Sequence, residues 1–93
     1  MNVDVEIYMN NLVKFFNENP KDLASLIPYD KKEEFFDKVK QIVSENVDKG
    51  EDATLTRKQL IDLCVELNQQ VDQFLIKKEG PLLFTKFGLI SLN

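Results

Sequence analysis

Apolar residues recur at helical three-and-four spacing from Val3 to Glu18, where Val5, Tyr8, Met9, Leu12, Val13 and Phe16 share one face and Phe15 widens it. This spacing predicts a first helix. Asn19-Pro20 reads as a stop and restart, because proline cannot continue a helix but suits the first turn of a new one, with Asn19 as its N-cap. Leu23, Leu26 and Ile27 would face inward from a short second helix that Pro28 ends. Asp30 is placed to cap a third helix, with Glu33 answering the exposed N–H groups of its first turn. Along that helix the arc Phe35, Phe36, Val39, Ile42, Val43 and Val47 opposes Lys38, Lys40, Gln41 and Glu45, and the pattern stops near Gly50.

Thr56 with Gln59 reads as a capping box opening a fourth helix, which the periodicity carries to about Lys77. One face of it holds Leu60, Leu63, Cys64, Leu67, Val71, Phe74 and Leu75, and Ile61, Val65 and Ile76 form a second patch. An apolar arc that wide implies contacts on two sides, from neighbouring helices or from another copy of the chain. Gly80-Pro81 breaks the pattern. The remaining Leu82, Leu83, Phe84, Phe87, Leu89, Ile90 and Leu92 make an apolar tail, in which Thr85 and Gly88 disfavour helix and an extended segment is expected. Such a tail needs cover, either from its own domain or from a partner subunit. The fold expected is therefore all-α, a single domain with a bundle of three to four helices over residues 1–80 and an apolar extended tail over 81–93.

Composition narrows the functional classes. With 43% hydrophobic and 30% charged residues the chain has the make-up of a folded domain. At 93 residues its core is small, and association is a natural supplement to stability. The net charge is −4 with signs interleaved, and Arg57 is the sole arginine, so a phosphate-neutralising surface for nucleic acid is not expected. No stretch has the apolar length needed to cross a bilayer, and no secretory leader pattern opens the chain. Cys64 is the single cysteine, in keeping with a reducing compartment, and the expected location is the cytoplasm.

The chain contains no histidine, which removes His-dependent triads, Cys-His pairs and most zinc sites. Cys64 falls on the apolar face of the fourth helix, where a thiol behaves as a small hydrophobe. Carboxylate pairs such as Glu33 with Asp37 or Asp62 with Glu66 sit one turn apart, a spacing that solvated helix faces produce constantly. The glycines Gly50, Gly80 and Gly88 are isolated and build no phosphate loop. No enzyme chemistry and no cofactor are expected.

The stretch from Asp48 to Gln59, between two amphipathic patterns, resembles an EF-hand loop in degraded form. The resemblance implies Asp48 and Asp52 as side-chain ligands for calcium, Thr54 as a carbonyl ligand, Leu55 as the usual apolar position and Thr56 as a water-mediated contact. Gly50 stands where a second side-chain ligand belongs, Ala53 replaces the turn glycine, and Gln59 replaces the bidentate glutamate. The simpler account is a polar interhelical loop that ends in the Thr56 cap. The function expected from the sequence is thus a non-enzymatic interaction or structural module that self-associates or binds a protein partner. Ile61, Val65, Ile76, Phe84, Phe87 and Leu89 are its candidate interface, and a divalent-cation-responsive helix-loop-helix is the alternative.

Overall fold

The computed structural model describes residues 2–68 and 82–91. Helix α1 spans Val3–Glu18, α2 spans Lys32–Asp48 and α3 spans Arg57–Leu67. Short 3-10 turns at Leu23–Leu26 and Tyr29–Lys31 link α1 to α2. Strand β1, Thr54–Thr56, precedes α3, and β2, Leu82–Thr85, with β3, Gly88–Ser91, forms a hairpin. The strands build one antiparallel sheet in the order β1-β2-β3. The architecture is therefore mixed α/β, which corrects the all-α bundle expected from periodicity. The reason lies in the tail: it is extended, as anticipated, but its backbone groups pair with each other and with β1 instead of lying unpaired against helices.

Local chemistry explains where elements begin and end. Asn2 opens α1, its side-chain oxygen accepting from the Asp4 N–H at 2.8 Å. At the other end Asn19 closes α1, donating to the Phe15 carbonyl through both its backbone N–H at 2.9 Å and its side-chain amide at 3.0 Å. Asn19 is thus a C-cap of α1 and not the N-cap of a second α-helix, and the Leu23, Leu26, Ile27 segment is a 3-10 turn. Asp30 does not cap α2 either. It lies within the Tyr29–Lys31 turn that leads into the helix, and no side chain caps that N-terminus.

The C-terminus of α2 ends in a Schellman motif. Gly50 takes a φ of +84°, its N–H donates to the Val47 carbonyl at 2.9 Å, and the Glu51 N–H donates to the Asn46 carbonyl at 2.8 Å. Thr56 and Gln59 form the expected capping box: Gln59 N–H donates to Thr56 Oγ1 at 3.0 Å and Thr56 N–H donates to Gln59 Oε1 at 2.8 Å. Helix α3 ends at Leu67, short of the end at Lys77 that the periodicity suggests. Asn68 turns to extended backbone, and its side-chain amide donates to the Leu26 carbonyl at 3.2 Å. The rest of that expected helix lies outside the described residues.

The core is a single cluster in which Val5, Tyr8, Leu12 and Phe16 of α1 meet Phe35, Val39 and Val43 of α2 and Leu60, Leu63 and Cys64 of α3. The sheet closes it. Leu55, Phe84 and Leu89 stand opposite one another across the three strands and so share one face, and Leu55 and Phe84 are fully buried. Ring contacts run from Phe84 to Tyr8 and Phe15 on α1, then through Phe16 to Phe35 and Phe36 on α2.

Candidate interaction surface

The sequence-derived interface residues separate into three groups. Phe84 and Ile61 are buried in the chain's own core, so neither is available to a partner. Phe87, Leu89 and Val65 are exposed, at 82%, 36% and 40%. Ile76 lies outside the described residues. Val65 is on α3 and the other two are on the hairpin, so the structure does not gather the original set into one surface. Periodicity also missed Ile90, which is 45% exposed beside Leu89 on β3. The pairing register supplies the missing signal: Ile90 opposes Leu83, on the face of the sheet opposite to Phe84.

The hairpin turn is firmly held. Lys86 and Phe87 connect the strands, and the positive φ of the turn falls on Gly88, at +110°, with neither connecting residue left-handed. Thr85 staples it, its hydroxyl donating to the Gly88 carbonyl at 3.1 Å and accepting from the Phe87 N–H at 3.0 Å. Two contacts then fasten the turn to α1: the Asn11 side-chain amide donates to the Lys86 carbonyl, and Lys86 Nζ lies 3.1 Å from Asp4 Oδ1. Phe87 is therefore presented on a fixed support, with the Lys86 ammonium 5.4 Å from its ring centroid. Below it a groove of ≈ 200 Å³ runs between α1 and the hairpin, with Asn11, Lys14 and Glu18 on one wall and Phe87, Gly88 and Leu89 on the other.

Two of the other chemistry-bearing groups, Arg57 and Cys64, are buried. Arg57 is 4% exposed, and its Nη2 meets Asp22 Oδ1 at 2.7 Å, which ties the start of α3 to the turn after α1. The chain's sole arginine is thereby withdrawn from the surface. Its Nε and Nη1, like the Tyr8 hydroxyl, are buried and have no partner among the described residues. Burial pushes the Cys64 thiol up to about 12, against smaller lowering effects of a backbone hydrogen bond and of Arg57. At neutral pH it is a buried thiol and not a nucleophilic thiolate. Asp48 is the last residue of α2 and Asp52 lies beyond the Schellman turn, both exposed. Among the described residues no three or more His, Cys, Asp or Glu side chains gather as a metal site, and no helix is long and apolar enough to cross a membrane. Compared with protein-family models, curated proteins and solved structures, the chain matches none.

Proposed function

We propose that this chain is a non-enzymatic interaction module whose docking face is the exposed side of the Leu82–Ser91 hairpin, and that the protein it binds is another copy of itself. The observation that carries this reading is Phe87, a large ring left 82% exposed on a turn that Thr85, Asn11 and Asp4 hold in place. Aromatic anchors on rigid supports contribute disproportionately to association, because little conformational freedom is lost on docking. Ile90 on the outer sheet face, and Leu89 on the face it shares with Phe84 but partly exposed, add apolar side chains along β3. The lack of histidine and the inert state of Cys64 support a role without catalysis, and a lone buried thiol suits a cytoplasmic setting.

A calcium-responsive role has less support. The resemblance offers Asp48 and Asp52 as carboxylate ligands, and Gly50 already serves the α2 cap. The docking face is tested by native mass spectrometry and sedimentation of the full chain over a concentration series, beside Phe87→Ser. The expected result is a concentration-dependent dimer that the substitution weakens about tenfold, equivalent to about 1.4 kcal/mol. A chain that remains monomeric throughout overturns the reading.

A further inference from the structure

We infer that two copies join edge to edge through β3, antiparallel and centred on Ile90, so that two three-stranded sheets become one continuous sheet. This rests on the hairpin being the docking face and specifies how it docks.

The backbone alternation sets the register. Thr85 and Gly88 flank a two-residue turn and form the pair that exchanges hydrogen bonds, so Leu83 with Ile90 is the next such pair. Gly88 and Ile90 thus direct their N–H and C=O groups toward β2, and Leu89 and Ser91 direct theirs to the open side. Among the described residues β3 has no second neighbouring strand. Gly88, Leu89, Ile90 and Ser91 include neither a charge nor a proline, two of the devices that blunt an edge.

An edge that pairs with itself must do so about a two-fold axis. With the axis at Ile90, Leu89 of each copy faces Ser91 of the other, and both outward-facing residues are satisfied in both chains. An axis at Leu89 would use only the Leu89 pair within the strand. The side chains agree with the first choice. Ile90 would meet Ile90 across the axis and extend the Leu83–Ile90 pair on the outer sheet face into an apolar row. The groove beside the edge carries one cation, Lys14, and one anion, Glu18, so two copies of it brought together are not opposed by like charge.

Disulfide trapping in the full-length protein tests the register. In a non-hydrogen-bonded antiparallel pair the Cα atoms lie about 4.5 Å apart, within the range of about 4.4–6.8 Å that a disulfide spans. Ile90→Cys, oxidised with copper-phenanthroline, is expected to yield a covalent dimer as the main species on a non-reducing gel. Leu89→Cys and the unsubstituted chain, whose Cys64 is buried, are expected to yield little. Leu89→Lys, which charges the edge, is expected to weaken the non-covalent dimer at least tenfold with an unchanged circular dichroism spectrum. Equal or greater trapping at Leu89→Cys, or trapping at neither site in a chain that still dimerises, overturns the Ile90-centred register and leaves the hairpin docking face standing. A monomer at every concentration overturns both.

Discussion

Tyr8 and Phe84 meet edge to face, with ring centroids 5.3 Å apart and planes at 79°. This contact joins the first helix to the hairpin, and both rings are fully buried. Phe84→Ala is expected to remove about 3–5 kcal/mol of stability, the usual effect of emptying a well-packed aromatic site. Phe87→Ser, at the exposed turn, is expected to change the stability of the monomer by less than about 0.5 kcal/mol. Urea titrations of both variants measure the difference. If they proved equally destabilising, the assignment of one ring to the core and the other to the surface would be wrong.

The Tyr8 hydroxyl is buried without a partner among the described residues. A lone buried hydroxyl is a liability, because it gives up water and gains nothing in return. Tyr8→Phe is therefore expected to leave stability unchanged or to raise it by about 1 kcal/mol, read as a shift of the denaturation midpoint.

High pH is expected to unfold the chain. Unfolded, Cys64 ionises near its ordinary value of 9.0 and Tyr8 near 10.0, whereas burial raises both in the folded state, Cys64 to about 12. Above pH 9 the unfolded chain therefore holds fewer protons than the folded one, and stability falls as pH rises; below pH 9 these groups contribute no slope. Each group adds up to about 1.4 kcal/mol per pH unit in its window, Cys64 from pH 9 and Tyr8 from pH 10. Thermal melts from pH 7 to 11 should show the decline, and Cys64→Ala should remove the part that begins near pH 9.

The buried ion pair of Arg57 with Asp22 is asymmetric, since Arg57 is 4% exposed and Asp22 is 21%. Removing the carboxylate strands a buried cation, whereas removing the cation leaves an aspartate that can reach water. Asp22→Ala is accordingly expected to lower stability by about 3 kcal/mol and Arg57→Met by clearly less. Denaturation of the two variants gives the order, and the reverse order would contradict the burial that distinguishes them.

Calcium up to millimolar concentration is expected to produce no heat of binding and no change in circular dichroism, and Asp48→Asn is expected to behave as the unsubstituted chain. Isothermal titration provides the check.

Much of the helical framework was legible in the residues. The three-and-four spacing of Val5, Tyr8, Leu12 and Phe16 found the buried face of α1, and Thr56 with Gln59 found the start of α3, because both signals are local. The sheet was not legible. Thr54-Leu55-Thr56 is too short for alternation to register, and what makes it a strand is Phe84 opposite Leu55, a pairing made by residues far along the chain. The Arg57 to Asp22 pair was hidden for the same reason. Gly50 was open to two readings as a letter, and only its φ of +84° and the Glu51 to Asn46 hydrogen bond identify it as the end of a helix. Of the tail residues singled out for their apolar surplus, Phe87 and Leu89 are exposed. The exposure of Ile90 needed the strand register, and the burial of Phe84 was not legible because composition does not tell which apolar residues of a strand the helices cover.

The pairing of β1 with β2 also governs the order in which the molecule is assembled. During synthesis the helices emerge first, yet Tyr8 and Phe15 lack their lid, and Leu55 its opposite strand, until Phe84 has left the ribosome. The nascent chain must therefore wait with an uncovered aromatic flank, and consolidation of the core is gated by the synthesis of β2, which follows all three helices in the chain.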